Sequence, residues 1–264
     1  MSTDPQKYQE KRTRDLRNKM VYKANELIQK SRFDLSLQQQ KIVLYLIGQI
    51  SPYDDDFKEY TFNIGDFCRV CGIDYTSGKN YSALKEAIKE ITDKSLWIRL
   101  DDNRETLVRW IEKPTIHKSA GTISIRLDKD MKPYLLKLKE NFTVYELIYT
   151  LYFKSKYTIR LYELIKSVHY HDLEEHIHTF TVEELKRACG GESYAEYRDF
   201  KRRVLDTAVN EINQFSDKDL EYTEIRSGRK VISVQFRIRT KESTRLWRIA
   251  ASVEKELEKT TSLQ

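Results

Sequence analysis

The spacing of hydrophobic residues changes within residues 197–239 from a helical period to an alternating one. Up to residue 215, apolar side chains recur every three or four positions, which predicts one buried face of a helix. The residues of that face are Val204, Leu205, Ala208, Val209, Ile212 and Phe215. From residue 220 to residue 238 the alternation indicates two strands, which are separated by a tight turn at Gly228.

Cations cluster at the start of this helix and again at the turn. The cations at the start of the helix are Arg198, Lys201, Arg202 and Arg203, and those of the turn are Arg226, Arg229 and Lys230. A basic helix followed by a hairpin with a basic tip is the plan of a winged helix-turn-helix. In that plan the helix enters the major groove of DNA, and the hairpin, or wing, rests on the phosphate backbone.

The residues before this stretch complete the same unit. We predict a helix over residues 142–170, a short strand at Thr179-Phe180-Thr181, and a helix that begins at Val182 and ends at Gly190-Gly191. A closing helix is predicted from about Thr244 to Lys259. The order helix, strand, helix, basic helix, hairpin is that of one winged-helix domain.

The first half of the chain has a similar order. A helix opens at Leu35 with Ser36 as its N-cap, a short helix starts at Asn63 and ends at Gly72, and a third helix spans about Asn80 to Ser95. The predicted strands of this half are Tyr60–Phe62, Trp97–Leu100, Thr106–Ile111 and Thr122–Leu127.

Equivalent residues of the two halves recur at nearly constant separation, with Tyr45 matching Tyr162 and Ala87 matching Ala208. We therefore predict an α+β protein of two tandem winged-helix domains related by internal duplication. The predicted boundaries are a flexible basic arm over residues 1–20, an N-terminal domain over 21–139, a C-terminal domain over 140–243 and a C-terminal helix or tail over 244–264.

Composition narrows the class of protein. The chain has 264 residues, of which 39% are hydrophobic, enough for one large core or two ordinary ones. It has no run of 18 or more apolar residues and no apolar signal core after Met1, so we expect a cytoplasmic protein without a membrane partner. Three cysteines fit a reducing compartment better than a disulfide framework.

The net charge of +6 points to a polyanionic partner only where the cations cluster. One cluster is residues 7–32, with nine basic residues and three acidic ones. We interpret its first part as a mobile arm. It either stays solvated or contacts DNA, and the sequence leaves both readings open.

Four segments resemble the iteron-binding plasmid replication initiators. They are residues 23–28 together with 35–42, Ser155-Lys156-Tyr157-Thr158-Ile159-Arg160-Leu161-Tyr162-Glu163-Leu164, Phe180-Thr181-Val182-Glu183-Glu184-Leu185-Lys186, and Tyr197 together with residues 200–205, 208–213 and Ser216-Asp217. The likeness extends over most of residues 20–240 and is more specific in the second half.

The resemblance implies a protein that binds repeated double-stranded sites, called iterons, at a plasmid origin. It implies monomers that open neighbouring AT-rich DNA and bring in the host replication initiator and the replicative helicase. It also implies a homodimer, in equilibrium with the monomer, that represses its own gene through a promoter inverted repeat. The first domain would form that dimer and make secondary DNA contacts.

Roles at the DNA surface follow from side-chain chemistry. At least one arginine among Arg198, Arg202 and Arg203 should contact a guanine, because the planar guanidinium matches the O6 and N7 edge. Lys201 and the remaining cations, including those of the wing, suit phosphates or the minor groove. Asn210 contacts DNA or is simply solvated. Weaker candidates in the first domain, where a solvated face is nearly as good a reading, are Lys79, Ser82, Lys85 and Lys89.

Two other motifs suggest different chemistry. His176-Ile177-His178, with Tyr194 or Tyr197 as the nucleophile, would suit a metal-dependent rolling-circle nickase. His169 and His171 lie nearby, yet we expect surface histidines on a polar loop. Cys68-Arg69-Val70-Cys71 has no second cysteine pair, so packing is the better interpretation.

We therefore predict no catalytic residue, metal or cofactor, and no enzymatic activity. The alternative closest to an initiator is a tandem winged-helix transcriptional regulator without a role at an origin. The nickase is the second alternative.

Overall fold

The computed structural model describes residues 11–12, 15–51, 53–71, 78–112, 114–169 and 174–242, and beyond these Leu246, Ile249, residues 251–252 and Lys255. Two helical units, each with a β-hairpin, follow one another along the chain. None of the helices in the described part of the chain has the length and apolar character needed to cross a lipid bilayer.

The first unit begins with a strand and contains the three predicted helices. Its elements are β1 (Met20–Ala24), α1 (Asn25–Lys30), β2 (Ser31–Arg32), α2 (Leu37–Ile47), β3 (Tyr60–Asn63), α3 (Ile64–Cys71), α4 (Gly78–Asp93), β4 (Ser95–Arg99), β5 (Glu105–Arg109), β6 (Thr115–His117), β7 (Thr122–Ile125) and α5 (Lys132–Leu135). Ser36 caps α2 as predicted, in a capping box with Gln39.

The second unit repeats the order of helix, strand, helix, helix and hairpin. Its elements are β8 (Phe142–Glu146), α6 (Ile148–Leu151), α7 (Lys156–Val168), β9 (Glu175–Thr181), α8 (Val182–Cys189), α9 (Tyr197–Phe200, a π-helical turn Lys201–Leu205 and Asp206–Phe215), β10 (Lys218–Ser227) and β11 (Lys230–Thr240).

The wing hairpins of the two units pair differently. In the second unit β9, the strand before α8, pairs antiparallel with wing strand β11, giving the sheet order β10–β11–β9. In the first unit β3 pairs with β7, whereas the hairpin β4–β5 forms a separate sheet with β2. The duplicated order of elements therefore accommodates two sheet arrangements.

The prediction of a single helix over residues 142–170 is wrong. The segment starts as strand β8, which pairs antiparallel with β1 and aligns Tyr145 with Val21, and α7 begins only at Lys156. The partner strand lies more than a hundred residues earlier in the chain, so local spacing does not show it, and tertiary pairing outweighs helix propensity. This pairing joins the first unit to the second across the boundary predicted at residue 139.

The expectation that His176 and His178 lie on a polar loop is also wrong. β9 begins at Glu175, four residues before the predicted strand, and both histidines align with residues of β11. Pairing with the long wing strand extends β9 through a segment whose acidic start predicts a loop. His171 lies outside the described residues.

The described part of the predicted N-terminal arm contacts the first unit. Arg17 is buried and donates to the backbone carbonyls of Arg69 (2.7 Å) and Val70 (3.2 Å), near the end of α3. Arg12 forms a salt bridge of 2.9 Å with Asp66. The prediction of a mobile arm did not include these contacts; residues 1–10 and 13–14 lie outside the described part. In the predicted C-terminal helix, Leu246 and Ile249 are helical.

Candidate nucleic-acid interface

The turn between α8 and α9 is set by two glycines. α8 starts with Thr181 and Glu184 in a capping box and ends at Gly190, whose φ of 71° is left-handed. At Gly191 an added Cβ would lie 2.7 Å from Cε2 of Phe200, so a side chain there would displace the ring. Both glycines let α9 begin close to the end of α8, as a helix-turn-helix requires.

α9 has the amphipathic character that its sequence predicts. Its buried residues are Phe200, Val204, Leu205, Ala208 and Ile212. Its exposed residues include Arg198, Arg202, Arg203 and Asn210. The π-helical turn begins at Lys201 and contains Arg202 and Arg203. Such turns are rare and occur frequently at functional sites, because the extra residue redirects side chains.

Two of the exposed arginines have no partner among the described residues. Arg202 is paired with Asp199 at 3.2 Å, one turn earlier on the same exposed surface. The side chains of Arg198 and Arg203 form neither a hydrogen bond nor a salt bridge within the described part of the chain. An exposed guanidinium without an internal partner keeps all five donors available for a ligand.

The wing presents a second set of cations. Arg226, Arg229 and Lys230 are exposed, and Gly228 has a φ of 58° at the tight turn between β10 and β11. The register shifts between Ile225 and Arg226, which is the signature of a β-bulge that bends the tip. Arg229 and Lys230 have no ion-pair partner among the described residues.

Lys201 is not free at the surface. Its Nζ lies 2.9 Å from Oε1 of Glu224 on β10, and the same carboxylate accepts from the Tyr197 hydroxyl at 3.3 Å and from Arg226 at 2.5 Å. The hydrogen bond with Glu224 raises the pKa of Lys201, and that same bond lowers the pKa of Glu224. Sequence reasoning missed Glu224. The available signal was its position two residues after Tyr222, on the same face of the strand.

The candidates in the first unit lie on a less basic surface. Ser82, Lys85 and Lys89 are exposed on α4, and Lys89 is paired with Glu86 at 2.9 Å. The side chain of Lys79 lies outside the described residues.

The hairpin β4–β5, which corresponds to the wing, has acidic residues Asp101 and Asp102 near its tip, and Arg104 is paired with Asp101 at 2.6 Å. The described tips of the two hairpins therefore carry opposite net charge, and the second unit has the more basic of the two candidate surfaces.

His169, His176 and His178 lie close together, but the described residues around them do not form a metal site. The ring centroids of His176 and His178 are 5.9 Å apart, and those of His169 and His176 are 6.2 Å apart. His169 is buried. Burial lowers the pKa of His178, and the electrostatic effect of His176 lowers it further. Within the described ranges, no three His, Cys, Asp or Glu residues are placed to hold a metal ion.

The tyrosines proposed for a nickase are held in other contacts. The Tyr194 hydroxyl lies 3.3 Å from that of Tyr157, and burial raises the pKa of Tyr197. Cys68 is buried as expected of a packing residue, and the side chain of Cys71 lies outside the described part.

The fold and its basic surface define a protein of the tandem winged-helix class. The chain belongs to the replication initiator family: residues 20–166 match the family described as "Initiator Replication protein, WH1", and residues 181–238 match "Initiator Rep protein, WH2". The predicted resemblance to replication initiators and the predicted tandem fold are thereby confirmed.

Two relatives are consistent with this assignment. An Escherichia coli "Replication initiation protein" is 26% identical over 214 residues, which cover 76% of this chain and 64% of that protein. The chain thus spans about 64% of that relative's length. The crystal structure of Pi initiator protein in complex with iteron DNA matches with a TM-score of 0.70 at 19% identity, over 86% of this chain and 99% of that one. This second likeness supports the fold.

Proposed function

We propose that this protein is a sequence-specific double-stranded DNA-binding initiator of plasmid replication. It binds repeated sites at the origin and promotes opening of the adjacent DNA. Membership of the initiator family and the similarity to a replication initiation protein support this proposal. The solved relative of the same fold is described in complex with iteron DNA, which supports repeated DNA sites as the ligand.

One observation carries the proposal: α9 and the wing of the second unit expose cations in two separate sets. Arg198, Arg202 and Arg203 lie on α9, whereas Arg229 and Lys230 lie at the wing tip. A helix of this kind fits the major groove, where arginine reads guanine through two hydrogen bonds. Cations on the hairpin neutralise phosphates whatever the sequence. The same unit thus combines base readout with backbone anchoring.

The first unit adds a second binding module to the same chain. α4 corresponds to α9 and exposes Lys85 and Lys89, so it would contact a neighbouring part of the site more weakly. Two such helices can occupy major grooves about 34–36 Å apart without a dimer. β1–β8 pairing joins the units and would limit their relative movement.

The partners implied by the family resemblance complete the proposal. They are the host replication initiator, the replicative helicase and a second copy of this chain. The dimer would bind a promoter inverted repeat and repress the gene, whereas monomers would load on iterons. In this proposal the protein has no enzymatic activity, and the free energy of its binding to DNA drives opening of the origin.

The test is plasmid establishment with the protein supplied in trans. A plasmid that carries the replicon's own candidate origin but no initiator gene should be maintained only when this protein is expressed. The double variant Arg202→Ala, Arg203→Ala should abolish maintenance, whereas Arg104→Ala, a cation on the first unit's hairpin, should not. Maintenance without the protein would refute the initiator role.

Two alternatives predict different results. A transcriptional regulator of the same fold would repress its promoter yet fail to maintain the origin plasmid. A metal-dependent nickase would cut origin DNA, and that cutting would be lost in His176→Ala. The placement of His176 and His178 on one strand is the observation that keeps the second alternative worth testing.

A further inference from the structure

One carboxylate lies among the cations of the proposed DNA surface. The Glu224 side chain is 16% exposed and is contacted from two directions. Lys201 and Tyr197 reach it from α9, and Arg226 reaches it from the wing. Glu224 is therefore the point where the helix and the wing meet through charged groups.

A neighbouring contact fixes the same two elements. Tyr222 lies two residues before Glu224, on the same face of β10, and its hydroxyl donates to Asp206 of α9. Lys201 Nζ lies 5.6 Å from the centre of the Tyr222 ring. Two side chains of one strand thus contact α9 at successive turns, which sets the position of the wing relative to the helix.

A negative charge at this place opposes DNA binding in general. The hydrogen bond with Lys201 lowers the pKa of Glu224, so the carboxylate is ionised at neutral pH. It neutralises Lys201 and shares Arg226, two cations that would otherwise be available to any phosphate. Each cation that contacts phosphate raises affinity without regard to sequence. Glu224 therefore lowers the affinity that unrelated DNA can obtain.

We propose that Glu224 is a positioning residue that determines specificity, because it withholds Lys201 and Arg226 from unrelated DNA and holds the wing in register with α9. This inference rests on the proposed function. At a correct site the base contacts of α9 supply binding energy that unrelated DNA lacks. Cations released by the loss of Glu224 would strengthen binding to both kinds of DNA, whereas the base contacts at a correct site also need the wing held in register with α9. Loss of Glu224 should therefore weaken the specific contacts and narrow the difference between the two kinds of DNA.

The test compares two isosteric variants on one strand. Glu224→Gln removes the charge at the junction, and Glu221→Gln removes an equal charge from the opposite face of β10, where Glu221 pairs with Arg239. The probes are a duplex that the wild-type protein selects from a random-sequence pool and a scrambled duplex of the same composition. Affinity for each is measured over a range of salt concentrations.

The Glu224→Gln variant should bind the scrambled duplex more tightly. Its slope of log affinity against log salt concentration should be steeper by about 0.9 for each cation that becomes free to contact phosphate. The ratio of the two affinities should fall about tenfold, which corresponds to roughly 1.4 kcal/mol. Glu221→Gln should leave the ratio near that of the wild-type protein. Equal loss of discrimination in both variants would mean that net charge alone is responsible, and would overturn the proposal.

A second comparison begins with two variants that keep Glu224. Lys201→Met should weaken binding to the scrambled duplex less than Arg229→Met does, because Glu224 already neutralises Lys201. Combined with Glu224→Gln, Lys201→Met should weaken it more, which is a non-additive result. If Lys201→Met alone matches Arg229→Met, Lys201 is free to bind phosphate and the inference fails. If the wild-type protein does not discriminate between the duplexes, the proposed function itself fails.

Discussion

Lys23 and Glu163 form a salt bridge of 2.6 Å between β1 and α7, with side chains that are 5% and 1% exposed. The Tyr145 hydroxyl donates to the same Glu163 oxygen. Burial lowers the pKa of Lys23, and the charge of Glu163 opposes that shift. The pair lies where the first strand of the chain meets the second unit, so each partner neutralises a charge that water does not reach.

Removing one member of this pair should strongly destabilise the protein. Glu163→Ala leaves the Lys23 charge and the Tyr145 hydroxyl without their buried partner, and we expect the free energy of unfolding to fall by about 3–5 kcal/mol. Urea denaturation followed by circular dichroism measures the loss. The double variant Lys23→Met, Glu163→Gln should recover most of it, because no unpaired charge remains.

The matched control for this prediction is the pair Lys89–Glu86, whose side chains are 67% and 56% exposed. Glu86→Ala should cause a much smaller loss, because solvent screens exposed pairs. Equal losses in Glu163→Ala and Glu86→Ala would show that the buried pair contributes no more than a surface pair.

Arg202→Ala with Arg203→Ala should weaken binding to the correct site far more than binding to unrelated DNA. Each true guanine contact should contribute about 1–3 kcal/mol, and its loss should relax the base preference at one position of the site. Fluorescence anisotropy with single-base variants of the site measures this directly. Unchanged affinity and base preference would show that α9 does not read the sequence.

Arg229→Ala should act on all sequences alike. Arg229 is exposed at the wing tip with no ion-pair partner among the described residues, so its contact should be with phosphate. The slope of log affinity against log salt should become shallower by about 0.9, the value for one phosphate contact on duplex DNA. A loss confined to one sequence would instead place Arg229 against a base.

Lys218 gives the stability a pH dependence. Burial lowers the pKa of Lys218 from 10.5 to about 8, an effect that Asp217 opposes and Lys166 reinforces. Its Nζ lies 2.7 Å from both Nδ1 of His169 and Oγ1 of Thr240. Below about pH 8 the folded and unfolded chains both hold the proton, and the unfavourable burial of the charge is fully present.

Between about pH 8 and 10.5 the unfolded chain keeps this proton while the folded protein has lost it, so stability rises with pH. Relative to Lys218→Met, the free energy of unfolding of the wild-type protein should therefore rise by about 2 kcal/mol between pH 7 and 9.5. The rise is roughly 1.4 kcal/mol for each pH unit above the pKa that Lys218 has in the folded protein. Urea denaturation of both proteins at these two pH values measures the gain. A difference that does not change with pH would contradict it.

The sequence predicted α9 and its wing because their signals are local. The buried face around Val204 and Ile212 repeats within one helix, and Gly228 fixes a turn between adjacent strands. The exposure of Arg198, Arg203 and the wing cations follows from the same spacing, whereas their contacts with DNA stay predictions.

Features that depend on distant residues were not predictable. β8 is a strand because β1 pairs with it, and β9 is long because β11 extends alongside it. Lys201 lies at the start of a basic helix in the sequence, yet Glu224, more than twenty residues later, holds it. Arg17 is buried because it donates hydrogen bonds to backbone carbonyls near the end of α3. The number of basic residues in the N-terminal segment does not predict such a contact.

The most direct test is a footprint of the purified protein on the DNA of the replicon that encodes it, with and without divalent metal. We predict protection of several evenly spaced direct repeats, each about two helical turns long, beside AT-rich DNA. The protection should not depend on metal and should disappear in Arg202→Ala, Arg203→Ala. Protection of a single promoter palindrome, or strand breaks that require metal, would contradict the account.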